Sequence, residues 1–375
     1  MDFDFTDDQL SLRDAVARWV EKGFGFERRH ALAKAGGATR AVYAELAELG
    51  LTGLAVPEAQ GGMGFGAVEA MVVMEELGRG LVNAPYAHGA LMAPALLAAA
   101  PEALRAAWLP RIAEGSALVV LAHQERSARY RLNQVATRAA SGTGGWRLSG
   151  SKNVVPAGDE ADAFIVPARI AGAEADATGI GLFLVERSAA TVRGYPTQDG
   201  ARAAELTLAD APATLITEDG LPVLELAVDV GIAAQCAEAV GLMERFTAIT
   251  VEYMNTRKQF GVPIASFQAL RHRIADVKMQ LELGRSMSYF ATLTLGREPA
   301  QRRRAVSQAR VQLGQSMRFV GQQCVQIHGG IGVTDEYVGS HYFKRLTMLE
   351  MSLGDTLHHL GEVSARMQDT AGVFA

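Results

Sequence analysis

The sequence predicts an α+β fold in three parts: a helical domain over residues 1–115, a middle antiparallel β-barrel-like domain over 116–215, and a four-helix bundle over 216–375. Two changes of hydrophobic period predict this division. In the first and last parts apolar residues recur on one helical face, whereas the middle part has short alternating runs between turn clusters. The length of 375 residues is enough for two or three domains with a sizeable core.

The first part begins with a helix. Thr6 followed by Gln9 is a capping-box pattern, in which each residue satisfies a free amide of the first turn. A second helix is predicted to end at Gly50 and a third at Gly78, because glycine accepts the positive φ of a helix end. A further helix is predicted over 101–112.

Short apolar or alternating runs then predict the strands of the middle part, over 117–122, 146–149, 163–168, 181–185 and 204–208. A polar crossover is expected over 212–222. The helical period then returns in two segments, 224–256 and 267–295, that exceed the usual length of globular helices. Such long helices are typical of a bundle.

Charge and cysteine content exclude several classes of function. The net charge of −5 gives no basic footprint for nucleic acid or anionic membranes, so neither partner is expected. Cys236 and Cys324 lie in helical apolar runs and are predicted to be buried, reduced thiols of a cytoplasmic protein. The start of the chain has no signal-peptide pattern, and the apolar run 84–100 is interrupted by prolines, so no membrane span is expected.

Two glycine clusters, 62–66 and 329–332, raise the possibility of a dinucleotide loop. The Rossmann fingerprint requires a strand before the glycines, but Gly329 follows a helical run, so that interpretation fails. Two interpretations remain open for His328-Gly329-Gly330. The glycines either end a helix, or they allow backbone to approach a nucleotide closely, with the Gln326 amide nearby as donor and acceptor.

Five local patterns occur in a recognisable order: Pro57-Glu…Gly61-Gly62, Glu75-Glu-Leu-Gly-Arg79, Leu148-Ser-Gly-Ser-Lys152, Arg257-Lys-Gln-Phe-Gly261 and Gln326-Ile-His-Gly-Gly330. Together with the helix–strand–helix order, they resemble the acyl-CoA dehydrogenase family over the whole chain. The stretches 195–200 and 335–345 are similar to the small subunit of pimeloyl-CoA dehydrogenase-type heteromeric enzymes.

The resemblance implies an FAD-dependent oxidoreductase that forms a double bond in an acyl-CoA thioester. It also implies that certain residues contact the FAD of a neighbouring subunit, namely Arg257, Gln259, Phe260, Gln268, Gln326, Gly329 and Gly330. The Arg257 guanidinium suits a pyrophosphate, although an interhelical ion pair is the alternative. The implied partners are a homologous large subunit or a second copy in a tetramer, the acyl-CoA, and an electron-transfer flavoprotein.

The sequence departs from the family where the chemistry takes place. The two positions at which members have the catalytic carboxylate are Leu353 and Gly231 here, and neither side chain accepts a proton. The family's Thr-Glu-Pro and Trp-Ile-Thr segments beside the flavin ring are replaced by Gln124-Glu125-Arg126 and Val154-Val155-Pro156. Pro156 has neither hydroxyl nor amide N–H, so it cannot supply the threonine's hydrogen bonds.

Three hypotheses follow. The first is the base-lacking partner of a heteromeric α2β2 dehydrogenase that contributes FAD contacts across the interface. The second is a self-sufficient homotetramer with a relocated base, for which Asp355 is the best candidate and Asp229 and Glu125 are weaker ones. The third is a flavin-free structural or thioester-binding subunit. The resemblance favours a dicarboxyl- or bulky acyl-CoA in a β-oxidation-like step, and no metal site is expected from the histidines.

Overall fold

The computed structural model describes residues 4–367. Its α-helices are α1 (Asp7–Gly23), α2 (Phe26–Lys34), α3 (Arg40–Glu48), α4 (Ala67–Arg79), α5 (Ala93–Leu97), α6 (Glu102–Ala113), α7 (Gly220–Thr256), α8 (Gln268–Thr294), α9 (Pro299–His328), α10 (Val338–Met351) and α11 (Thr356–Ala365). A π-helical turn, Ala87–Met92, precedes α5.

The strands are β1 (Val119–Leu121), β2 (Arg138–Gly142), β3 (Gly145–Pro156), β4 (Ala163–Arg169), β5 (Ile180–Glu186), β6 (Thr191–Pro196), β7 (Arg202–Thr217), β8 (Lys258–Gln259) and β9 (Val262–Pro263). The chain forms two compact units. One contains residues 4–29, Ala67–Val82 and residues 232–367, and the other contains His30–Gly66 and Asn83–Gly231. The predicted domain boundaries at 115 and 215 stay predictions.

The first unit is helical. The predicted capping box is confirmed at α1, where Thr6 Oγ1 accepts from the Gln9 amide and the Gln9 side chain accepts from the Thr6 amide. Helix α9 is central and packs against α8, α10 and α11. Both cysteines lie buried in this unit, Cys236 on α7 and Cys324 on α9, as the sequence predicts.

One predicted helix end is wrong. Gly78 lies inside α4, which continues to Arg79, and has no positive φ. A Cβ at Gly78 would overlap the carbonyl oxygen of Glu238, and a Cβ at Gly241 would overlap that of Glu75. The two glycines therefore allow the backbones of α4 and α7 to touch. Gly78 has this packing role, although its place near a helix end resembles that of a cap glycine. Gly50, by contrast, has the predicted positive φ of 79° after α3.

The second unit contains the barrel-like sheet. Its strands pair in the order β1-β4-β2-β3-β7-β5, and a further β4–β5 pairing closes the circle. Most pairs are antiparallel as predicted, but β1 and β2 each pair with β4 in parallel. The predicted crossover at 212–222 is wrong because β7 continues to Thr217, where Ala213 pairs with β3 and Leu215 with β5.

Helix α7 is long and apolar enough by composition to cross a membrane, with a mean hydropathy of 1.5 in its most apolar window. However, 89% of that window is buried within the protein. Helix α7 is therefore an apolar helix of the protein core.

Glu75 is a buried carboxylate with an unusual titration. Its Oε2 lies 3.7 Å from Arg285 and 3.9 Å from Arg79, beyond hydrogen-bonding distance, and its Oε1 has no hydrogen-bond partner within residues 4–367. Burial raises the pKa of Glu75 to about 6, although the charge of Arg285 opposes the shift. The stability that this raised pKa contributes is complete below the ordinary value near 4.5 and is lost as the pH rises through 6.

We therefore expect Glu75→Gln to stabilise the protein at pH 7.5 by about 2 kcal/mol and to have no such effect below pH 4.5, because glutamine mimics the protonated acid. Urea unfolding at the two pH values measures the difference. Glu244→Gln is the matched control. Burial alone would raise the pKa of Glu244, but Arg79 and Arg285 hold it below its ordinary value, so this variant should be destabilised at pH 7.5. A loss of stability in both variants at pH 7.5 would contradict the expectation.

Candidate cofactor-contact surface and the Leu353 turn

The residues predicted to contact FAD are held around one small apolar cluster in the first unit. Met254 near the end of α7, Ile264 after β9, and Ile327 at the end of α9 are buried together. The β8–β9 hairpin and the first turn of α8 adjoin the same cluster. We call the seven predicted residues attached to it, namely Arg257, Gln259, Phe260, Gln268, Gln326, Gly329 and Gly330, the contact patch.

The long side chains of the contact patch point to solvent. Arg257 is exposed, and no carboxylate within residues 4–367 lies within 4.0 Å of its guanidinium, so the alternative ion pair is not seen there. Gln268 and Gln326 are also exposed, and Gln259 donates to the carbonyl of Lys258 at 3.0 Å. Phe260 is 92% exposed and has a φ of 52°. Gln259 thus has one hydrogen bond within its own hairpin and Phe260 an edge-on contact with Phe267, whereas Arg257, Gln268 and Gln326 face solvent, as expected of a contact surface.

The two glycines of the patch differ from each other. Gly329 ends α9 with a φ of 66°, so the interpretation as a helix end is correct. Gly330 has no positive φ, and a Cβ there would meet nothing within 4 Å. The fold of this chain therefore gives no steric reason for a glycine at 330. Close approach by an external group does give one.

Sequence reasoning missed the support beneath this turn. His328, which is 3% exposed, donates from Nδ1 to the Cys324 carbonyl at 2.8 Å, so its Nε2 accepts from the Tyr337 hydroxyl at 2.8 Å. The imidazole also lies against the ring of Tyr253, with centroids 4.6 Å apart. Burial lowers the pKa of His328, which keeps the ring neutral and able to accept. Cys324 and Tyr337 are close to His328 in sequence, but Tyr253 belongs to α7, and only the fold brings its ring against the imidazole.

The expected base position lies in a tightly held turn, residues 352–355, which we call the Leu353 turn. Leu353 has a φ of 53°, unusual for a leucine, and Gly354 has a φ of 109°. The fully buried Arg310 donates to the carbonyl oxygens of Leu349, of Ser352 at 2.6 Å, and of Gly354 at 3.2 Å. Arg310 therefore fixes both the end of α10 and the turn after it.

His359 holds the remaining carbonyl of the turn. Its Nε2 donates to the Leu353 oxygen at 3.1 Å, and its Nδ1 accepts from the Ser307 hydroxyl at 3.3 Å. Burial, with a further contribution from the charge of Arg310, lowers the pKa of His359 to about 3. Both ring nitrogens are thus engaged and the ring is neutral, so His359 is a structural residue of the Leu353 turn.

The alternative carboxylates are already engaged. The Asp355 side chain caps α11 by accepting from the His358 amide at 2.8 Å. Glu125, 5% exposed, accepts from Lys152 at 2.6 Å, from the Thr137 hydroxyl at 2.7 Å and from the amides of Ala136 and Thr137. Burial alone would raise the pKa of Glu125, but Lys152 and these hydrogen bonds hold it below its ordinary value.

The other two positions lie on α7. Gly231 is buried there, and Asp229 is only 1% exposed. Neither presents an accessible carboxylate.

Family models match almost the entire chain. The N-terminal, middle and C-terminal domains of acyl-CoA dehydrogenase match residues 6–116, 121–210 and 218–368, respectively. The chain belongs to the acyl-CoA dehydrogenase family. Members of this family are FAD-dependent oxidoreductases. The chain is therefore of this enzyme class, and its cofactor is FAD.

Individual relatives agree with the family. The chain is 30% identical to the acyl-CoA dehydrogenase IpdE2 of Mycolicibacterium smegmatis over 95% of this chain and 97% of that protein. It is 28% identical to the acyl-CoA dehydrogenase FadE27 of Mycobacterium tuberculosis, over 88% and 89%. Among solved structures, the ChsE4-ChsE5 complex from Mycobacterium tuberculosis matches with a TM-score of 0.88 and 27% identity, over 99% of this chain and 100% of that chain.

Two segments of this acyl-CoA dehydrogenase, 124–126 and 154–156, lie beside each other in the second unit. They replace the segments that contact the flavin ring in the family. The Asn153 amide donates to the Gln124 carbonyl at 2.8 Å, which brings Gln124-Glu125-Arg126 beside Val154. Val154 is 46% exposed with a φ of 48°. No hydroxyl stands at either position, so this face does not fit the flavin ring as the family pattern would. The contact patch, with its open glycine and free guanidinium, does fit part of the cofactor.

Proposed function

We propose that this chain is the base-lacking partner in a heteromeric α2β2 acyl-CoA dehydrogenase. Its contact patch binds part of an FAD whose ring is bound by a homologous subunit. That subunit also carries the catalytic carboxylate. The observation that supports the proposal is an asymmetry within one chain. Arg257, Phe260, Gln268 and Gln326 are present and exposed at the patch, whereas the Leu353 turn has a leucine, and its carbonyls are held by Arg310 and His359.

Five of the seven patch residues have a role that follows from their chemistry. The forked donors of Arg257 bind the charge of the pyrophosphate, and the amides of Gln268 and Gln326 donate to and accept from the nucleotide. The exposed ring of Phe260 covers an apolar edge, and Gly330 lets backbone approach. Bound FAD would supply the hydride acceptor for the acyl chain. Removal of the α-proton requires a carboxylate base, which the partner subunit supplies in this proposal.

The proposed partners follow from this division and from the resemblance to the family. They are a family member with glutamate at the base position, a dicarboxyl- or bulky acyl-CoA, and an electron-transfer flavoprotein that reoxidises the flavin. The similarity to one chain of the ChsE4-ChsE5 complex supports a two-chain assembly.

The decisive experiment is expression of this chain alone and together with such a family member. We expect activity and a stoichiometric flavin absorbance only from the co-purified complex. A yellow, fully active homo-oligomer formed by this chain alone would refute the proposal in favour of a self-sufficient enzyme. A colourless but stable complex would favour the flavin-free structural or thioester-binding role.

Asp355→Asn tests the relocated base. Asparagine keeps an oxygen that can cap α11, so the variant should fold, and turnover of the complex should be unchanged. A large loss of turnover with unaltered flavin content would assign Asp355 a catalytic role and would favour the homotetramer.

Tyr337→Phe is expected to weaken FAD binding by the complex about fivefold to tenfold, because His328 loses a buried hydrogen bond and no longer fixes the turn at Gly329. Fluorescence titration of the flavin-free complex measures the affinity. Tyr253→Phe is a matched control, because its ring faces the same imidazole but its hydroxyl has no partner within residues 4–367. Equal affinities in both variants would show that the hydroxyl does not support the turn.

A further inference from the structure

The helical unit contains a cavity of about 380 Å³ that the proposed function does not use. It lies among α1, the start of α2, the end of α4, α7 and α10. Apolar side chains form part of its wall, including Val20, Phe24, Leu81, Ile249 and Val338. Its charged lining consists of Arg29, Arg79, Arg245, Glu21 and Glu76. We call it the arginine cavity.

One of the three arginines is neutralised within the protein. Arg79 forms ion pairs with Glu76 and with Glu244. Its charge and that of Glu76 therefore balance at the cavity wall, and a ligand would gain little from either.

Arg245, unlike Arg79, has a neutral hydrogen-bond partner, the hydroxyl of Tyr342. The Tyr342 hydroxyl donates to the Arg79 carbonyl at 2.7 Å, and this leaves its oxygen to accept from Arg245. Tyr342 is only 4% exposed, so the acceptor is fixed in place. Over residues 4–367, no carboxylate lies within 4.0 Å of the Arg245 guanidinium. A neutral group thus positions the cation, and its charge remains available to a ligand at the cavity.

Arg29 contacts the neighbouring residue on α10, His341. His341 Nε2 donates to the Asp335 carbonyl at 2.8 Å, so Nδ1 has the lone pair that accepts from Arg29. Arg29 is 4% exposed and lines the cavity. The adjacent pair His341-Tyr342 therefore orients two guanidinium groups at one cavity.

The geometry points to a binding site for a small organic carboxylate in the arginine cavity. The carboxylate accepts from Arg245 and Arg29, and a short aliphatic chain lies against the wall at Val20 and Ile249. Guanidinium groups bind carboxylates through paired, charge-assisted hydrogen bonds. Glu21 adds one negative charge to the same lining, so a ligand with a single charge and an apolar chain suits the cavity better than inorganic phosphate does.

Calorimetric titration of the full chain with hexanoate tests this site independently of flavin and of turnover. We expect a dissociation constant below about 1 mM, much weaker binding of inorganic phosphate and none of hexylamine. Arg245→Gln should weaken hexanoate binding about tenfold, and Glu21→Gln should strengthen it about twofold to fivefold.

Arg297→Gln is the matched control, because it removes the same charge from an exposed arginine that does not line the cavity. It should leave the affinity unchanged. Absence of hexanoate binding up to about 10 mM would overturn the site, and so would equal losses in the Arg245 and Arg297 variants. Phosphate binding as tight as that of hexanoate would overturn the assignment to a carboxylate with an apolar chain. The Glu21 variant preserves the test even if Arg245→Gln folds poorly.

Discussion

Replacing Gly330 by valine is expected to remove most FAD from the co-expressed complex while leaving the fold intact. The added side chain meets nothing within 4 Å in this chain, and the backbone at 330 does not require glycine, so unfolding should be unaffected. In the proposed assembly the same side chain occupies the space into which the cofactor fits. We expect the affinity for FAD to fall about 100-fold, which corresponds to about 3 kcal/mol.

Flavin absorbance per protein chain after purification measures the loss, and thermal unfolding of the flavin-free complex measures the stability. Gly361→Val is the control, because Gly361 lies in α11 and a Cβ there also meets nothing within 4 Å. The control should retain its flavin. Full flavin content in the Gly330 variant would remove Gly330 from the contact patch, and a large loss of thermal stability would show that its role is internal.

Arg310→Ala has the largest expected effect on stability, a loss of about 3–5 kcal/mol. The buried guanidinium satisfies three carbonyl groups at the end of α10 and in the Leu353 turn, and its removal leaves them without donors and leaves a cavity. Arg318→Ala is the control on the same helix. Its side chain is 60% exposed and pairs with Glu350 at 3.0 Å, so its loss should cost less than about 1 kcal/mol.

Urea unfolding of both variants gives the comparison. Similar losses in the two would contradict the role assigned to Arg310. A second readout concerns the turn itself, because amides after α10 should exchange hydrogen faster in the Arg310 variant than in the Arg318 variant.

Local patterns were enough to predict what local chemistry determines. The capping box at Thr6, the positive φ at Gly50 and the long α7 and α8 all depend on residues close in sequence. Strands β2 and β6 were missed because their side chains are largely exposed and give little apolar alternation.

What the sequence could not provide depends on long-range contacts. Arg310 contacts carbonyl groups about 40 residues away, and nothing near Arg310 identifies those partners. Glu125 was considered as a base, but Lys152 and Thr137 engage it from other strands. Gly78 resembles a helix cap locally, and only the approach of α7 explains why a glycine is needed there.

The two buried cysteines allow opening of the helical unit to be followed by thiol labelling. Cys236 and Cys324 are inaccessible, and burial raises their pKa values to about 11 and about 12, so almost no thiolate is present in the native state at neutral pH. A thiol-reactive dye can therefore label the chain only when α7 or α9 detaches from its neighbours. The labelling rate reports how often the helical core opens, without any engineered cysteine or external fluorophore.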